Sequence, residues 1–217
     1  MARRLARWAL AVMLVGGIVL LVSGQWRDPW LWAYVGCWAG VSLYALLSID
    51  DDLARERFAP PEPGADRLPL RAIRLIALAH LIVGALDAGR FHWSSVAAPI
   101  RIAGFAGMSL SCLVVFNAML SNRFFSPVVR IQKDRGHHLI DSGPYGIVRH
   151  PGYAGMILMA PFSGLALGSW ISVAIGLVYS GLILRRVVFE DAFLRNNLEG
   201  YAAYSTRVRY RLIPGVF

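Results

Sequence analysis

Long apolar stretches alternate with short clusters of arginine, proline and glycine along the whole chain. Six runs approach the ~20 residues that a bilayer demands of a helix. They fall at about Trp8–Val22, Trp30–Ile49, Leu70–Leu86, Ala97–Leu120, Gly152–Leu167 and Trp170–Phe189. The pattern predicts an all-α, polytopic transmembrane helical bundle of five to six spans. Only Gly168-Ser169 separates the last two runs, which therefore read as a tight hairpin whose shorter member need not reach the far interface. The first run follows Arg3, Arg4 and Arg7 as a secretory leader would, but no small-x-small cleavage site follows it, so it reads as a span.

Between the second and third runs, Asp50–Pro69 starts acidic, carries four prolines and Gly64, and reads as an exposed connector. Beyond Phe189 no run is long enough to span, and the mixture of Arg, Asn, Tyr and apolar residues predicts an amphipathic or partly buried C-terminal helix ending near Pro214. The chain is expected to form one integrated membrane domain. Residues 1–90 supply N-terminal helices and the connector, and residues 91–217 supply a core with the chemistry. Trp8, Trp26, Trp30, Trp93 and Trp170 lie at run ends, where an aromatic belt belongs.

Composition agrees with the membrane as solvent, since 57% of the 217 residues are hydrophobic and 16% charged. The net charge of +9 could suggest nucleic acid, but the basic residues gather at the ends of apolar runs, where anionic headgroups would meet them. Membrane lipids are the expected partners, and nucleic acid is not. Counted on alternate sides, 19 Lys and Arg stand against Arg27, Arg90 and Arg101. That bias places both termini and the segments around 121–150 and 185–217 in the cytoplasm. Cys37 and Cys112 both lie within apolar runs and read as small core residues.

Candidate chemistry concentrates in Ser142–Gly155, a Gly/Pro-rich turn with Tyr145, Arg149, His150 and Tyr153 directly before an apolar run. Such a turn exposes backbone N–H groups and fixes side-chain directions. Its simplest alternative is a snorkelling Arg149-His150 pair capping a helix that begins at Pro151. Arg186 and Glu190 share a helix face at the end of the last run, either as an ordinary ion pair or as a site, since ionisable groups there are costly. His137 and His138 lack a third ligand, and no metal is expected. For His80, an interhelical hydrogen bond is the better reading.

Taken together, Arg149-His150-Pro151-Gly152-Tyr153-Ala154-Gly155, Arg186–Asp191 and Gly200-Tyr201-Ala202-Ala203-Tyr204 resemble the isoprenylcysteine carboxyl methyltransferase family of integral-membrane enzymes. The family pattern is an Arg-His-Pro-x-Tyr-x-Gly turn, an Arg-x-x-x-Glu-Glu helix and a Gly-x-x-Tyr-x-x-Tyr tail. The resemblance extends over roughly Phe91–Phe217, and Asp191 stands where the family has its second Glu. It implies S-adenosyl-L-methionine as cofactor, held by Gln132, His137, His138, Leu139, Ile140, Tyr145, His150, Pro151, Gly152, Tyr153 and Glu190. It also implies Arg186 and Glu190 as catalytic residues, with Arg186 binding the substrate's carboxylate.

The expected acceptor is a lipophilic or lipidated molecule, most like a prenylcysteine-type carboxylate. Alternatives are a phenolic lipid, amine or thiol acceptor, or a non-enzymatic scaffold or transporter subunit. A transporter should carry polar residues in mid-span, whereas here they gather in one layer. The use of 21 arginines against one lysine suggests a bacterial inner membrane, with the active site at its cytoplasmic interface.

Overall fold

The computed structural model describes residues 2–217, and every regular element among them is helical. In chain order these are α1 (Ala2–Ser23), α2 (Pro29–Ser48), α3 (Asp51–Phe58), α4 (Arg67–Leu86), α5 (Ala98–Leu120), α6 (Pro151–Leu167), α7 (Trp170–Asn197) and α8 (Tyr201–Arg207). A π-helical turn, Asp87–Phe91, prolongs α4, and single 3-10 turns occur at Lys133–Arg135 and Gly143–Gly146. Five helices are long and apolar enough to cross a membrane, and the protein is an integral membrane protein. The sixth, α6, has 17 residues and spans about 25 Å at 1.5 Å per residue.

Local chemistry sets the boundaries. Asp28 accepts from the Trp30 N–H at 2.8 Å with Pro29 opening α2, and Asp50 caps α3 through the Leu53 N–H at 2.7 Å. Gly168 takes φ +93 to end α6, and Ser169 then caps α7 through the Ser172 N–H. The two-residue break is therefore the hairpin that the sequence predicts. Close approach of α5 and α6 requires Gly155, where a Cβ would lie 2.6 Å from the Ser111 carbonyl oxygen.

The helices alternate in direction, so polar segments collect at two ends of the bundle. At one end Arg101 donates to the Leu167 carbonyl, Gln25 to that of Gly89, and the Trp170 N–H to Ser94. At the other end Arg4 donates to the Leu46 and Ile49 carbonyls, and Arg123 and Arg135 reach Asp52 in α3. The segment 121–150, the last turns of α7, and α8 lie at this second end.

Three expectations need correction. The connector is not simply exposed: it contains α3, and Glu56, Gly64 and Asp66 are buried. Glu56 is buried because Arg130 grips its carboxylate, with one contact at 2.7 Å, and Ser126 donates to it at 2.6 Å. The last span does not stop at Phe189 but runs unbroken to Asn197, since Arg186, Glu190 and Asp191 find polar partners within the protein. The tail is consequently not one amphipathic helix but the short α8 followed by an irregular, hydrogen-bonded segment. As expected for His80, its ring bonds Ser163 Oγ at 3.0 Å and Ser172 at 2.9 Å, and Tyr34 meets the same Ser163 at 2.8 Å.

Candidate active site

The turn before α6 is fixed by the tail that follows α8. The Arg149 N–H donates to the Tyr210 carbonyl at 3.0 Å, and the His150 N–H to that of Arg211 at 2.8 Å. Arg149 is buried rather than snorkelling, because Asp191 meets its guanidinium in a fork at 2.7 and 3.1 Å, and its third nitrogen donates to the Val208 and Arg209 carbonyls. The helix-cap alternative for the Arg149-His150 pair thus fails for Arg149.

Asp191 organises four segments at once. Besides Arg149, its carboxylate accepts from the Tyr201 hydroxyl at 2.9 Å and from Arg211 at 3.0 Å, and His150 Nε2 lies 3.3 Å away. Tyr201 also lies 3.2 Å from His150 Nε2, so the imidazole is held on two sides. Gly200, at φ +79, makes the sharp entry into α8 that places Tyr201 and Tyr204 on one face. Tyr204 then donates to the Tyr145 carbonyl at 2.7 Å, locking the 3-10 turn to the tail. Burial raises the Tyr145 phenol above its ordinary pKa, so it stays protonated as a donor.

Glu190 projects beside this hub. Its carboxylate accepts from the Tyr153 hydroxyl at 2.6 Å. Arg186, one turn earlier, does not pair with it. Arg186 instead lies 2.9 Å from Asp66 and donates to the Pro127 carbonyl at 2.7 Å, with its guanidinium 5.7 Å from the centre of the Tyr153 ring. Its Nε is buried without a hydrogen-bond partner. Asp66 in turn accepts from the Val129 N–H at 2.9 Å. The same-face ion pair considered from sequence is replaced by a long-range one, because the connector folds back over α7.

These groups wall a cavity with about 890 Å³ of space between its atoms, mouth included. Gln132, Leu139, Ile140, Tyr145, His150, Gly152, Tyr153, Arg186 and Glu190 all line it, from five separate segments. Pro151, His137 and His138 do not. Pro151 opens α6, while the two imidazoles pack on the outer side against Phe124, at 4.5 and 4.9 Å between ring centres. His137 Nδ1 accepts from the Gln132 N–H, and burial, then His138 and nearby arginines, lower its pKa to about 4. Gln132 is itself buried, donating to the Phe124 carbonyl at 2.7 Å and accepting from Arg135.

A second, larger and mainly apolar cavity, with about 1940 Å³ between its atoms, lies among α1, α2, α4, α5, α6 and α7. Arg57 and Met156 line both cavities and form their common wall. Asp66, Arg57 and the Asp191 hub were not singled out by sequence reasoning. An acidic residue at the family's second Glu position was the one available signal, and it pointed to Asp191.

The residues present suit a methyl-donor cofactor. Glu190 offers negative charge to a cationic group, Phe124, Phe125 and Tyr153 offer aromatic faces, and Arg130 and Gln132 add polar groups. Along the cavity wall the Leu139 and Ile140 N–H groups donate to no protein acceptor among the described residues, leaving them free for a ligand's edge. No group of three potential metal ligands occurs among the described residues.

Fold and site together define a polytopic helical membrane protein with a walled polar site opening beside an apolar chamber. The sequence model of the isoprenylcysteine carboxyl methyltransferase (ICMT) family matches residues 106–196, so this segment is similar to that family. A probable protein-S-isoprenylcysteine O-methyltransferase from Oryza sativa subsp. indica is 34% identical over 90 residues, 41% of this chain and 47% of that protein. The protein-S-isoprenylcysteine O-methyltransferase of Schizosaccharomyces pombe is 30% identical over 86 residues, 39% of this chain and 36% of its own. The matched segment thus spans about half or less of these relatives. A solved structure of the eukaryotic intramembrane Ras methyltransferase ICMT superposes with a TM-score of 0.63 at 19% identity, covering 98% of this chain and 77% of that one, and shares its fold.

Proposed function

We propose that the chain is an S-adenosylmethionine-dependent methyltransferase acting on the carboxylate of a lipophilic, prenylcysteine-type acceptor. The observation that carries this reading is the common wall: a polar cavity suited to a charged nucleoside donor touches an apolar chamber suited to a lipid chain. The names of the relatives support the same reaction and acceptor class.

When bound, the donor supplies an activated methyl group on a cationic sulfur. A carboxylate that takes this methyl would become an ester and would have no proton to lose. Little acid–base work is required of the protein. Glu190, steadied by Tyr153, would hold the donor's cationic portion, and Gln132, Leu139, Ile140, Tyr145, His150 and Gly152 would shape its pocket. His150 is aligned by Asp191 and Tyr201. Arg186, with its buried Nε unpartnered, faces the reacting end. Rate enhancement then comes from alignment and exclusion of water. The arginine and lysine bias of 19 to 3 supports a cytoplasmic site in a bacterial inner membrane, on the side where the donor is made.

Calorimetry on detergent-purified protein tests the reading directly. Saturable donor binding near micromolar affinity is expected, about −8 kcal/mol. Glu190→Gln should weaken it at least tenfold while the protein stays folded. Absence of binding to the folded wild type would overturn the assignment.

A further inference from the structure

Among the described residues, Arg57 is a cation without a protein partner on the wall between the two cavities. Among the residues whose side chains are described, other arginines lacking a carboxylate or hydrogen-bond partner, such as Arg67 and Arg185, are exposed, and Arg7, also exposed, borders the larger cavity but not the polar one. Arg57 lacks such a partner too, yet it is turned inward from α3 onto the wall between the cavities. Its guanidinium carbon lies 5.2 Å from the centre of the Phe125 ring. The carboxylates that could neutralise it are committed elsewhere. Glu56 is held by Arg130, Asp66 by Arg186, and Glu190 accepts from Tyr153. Burial lowers Arg57's affinity for its proton, and the charge of Arg186 acts in the same direction, but an arginine stays ionised at neutral pH. A cation so placed calls for an anion from outside the protein.

We infer that Arg57 receives the acidic head of the acceptor, an amphiphile whose apolar chain fills the larger cavity and whose single carboxylate lies against the wall shared with the donor pocket. This rests on the methyl-transfer reading above and adds the residue that selects the acceptor. Arg186 cannot supply that selection by charge, because Asp66 already neutralises it. At the wall shared by the two cavities Arg57 therefore provides the net charge, and a monoanion matches it. The larger cavity is walled by Trp8, Trp38, Val41, Met108, Phe116 and Met159, which suit a flexible hydrocarbon chain. Methylation converts the carboxylate to a neutral ester, so the product loses the attraction that seated the substrate.

The test compares an S-isoprenylated N-acetylcysteine with its carboxamide, which keeps the chain and shape but not the charge. Binding is read from the fluorescence of Trp8 and Trp38 in the cavity wall, which needs neither turnover nor donor. Wild type should prefer the acid to the amide by at least tenfold. Arg57→Met should bring the two within threefold while donor affinity by calorimetry stays within twofold. Arg57→Lys should retain part of the preference, which guards against a folding defect in the methionine variant. If wild type shows no preference, or Arg57→Met keeps it, the inference is overturned. Loss of donor binding in wild type overturns the methyl-transfer reading instead, and the acid-to-amide comparison is unaffected by it.

Discussion

Arg149 and Asp191, 42 residues apart, grip each other through two nitrogens and both carboxylate oxygens inside the protein. Breaking a buried pair of this kind from one side strands the other charge, at about 3–5 kcal/mol. Asp191→Ala should therefore lower the thermal midpoint sharply in detergent. Tyr201→Phe, which removes one hydrogen bond to the same carboxylate, should cost about 1 kcal/mol. A midpoint for Asp191→Ala within a degree of wild type would show that Asp191 does not hold the site together.

Arg186 carries a structural duty as well as its expected role at the site. Arg186→Ala leaves the Asp66 carboxylate buried without its cation, so destabilisation should accompany any loss of turnover. A paired Arg186→Met, Asp66→Leu change should recover stability but not activity, with a coupling between the two sites of about 0.5–3 kcal/mol. If the double variant is no more stable than the single one, the Arg186–Asp66 contact carries no net energy.

Acid should loosen the loop that carries Gln132. His137 titrates at about 4 in the folded protein, below the ordinary 6.5, because burial penalises its charged form. The unfolded chain then binds the extra proton first as pH falls. Stability from the neutral imidazole is complete above about 6.5 and is lost progressively toward 4. Melting curves across that range should show the decline, and His137→Asn should flatten it. An unchanged slope in the variant would assign the acid sensitivity to another group.

Orientation can be measured with single cysteines in a protein freed of Cys37 and Cys112. Glu62, Lys133 and Ser95 are the suitable positions, all exposed. Gly64 is not, because a Cβ there would meet Val128 at 2.7 Å. Cysteines at 62 and 133 should resist an impermeant thiol reagent in intact cells, and one at 95 should label. The reverse pattern would invert the orientation.

What the sequence revealed was what neighbours in the chain decide. Run length gave the spans, Gly168-Ser169 gave the hairpin, and the Arg149–Gly155 and Arg186–Asp191 spacings marked residues that meet around one cavity. Pairings between distant segments stayed hidden. Asp66 looked like one more acid in a loop, and only the fold brings it to Arg186. Arg57 looked like a headgroup arginine until α3 turned it toward the cavities. His137 and His138 belong to the right loop, but Phe124 takes up their rings and leaves Leu139 and Ile140 on the wall. Asp191 exceeded its expected importance because its partners come from α6's preceding turn, α8 and the tail, which no spacing rule connects.

The backbone bonds from Arg149 and His150 to Tyr210 and Arg211 order events in time. A nascent chain stopped after Asn197 would already contain every candidate span, yet the turn that walls the polar cavity would have nothing to close against. Insertion into the bilayer and maturation of the site are therefore separate stages. The segments long enough to span all precede residue 198, while the pocket is completed only when a stretch too short to span comes back and laces it shut.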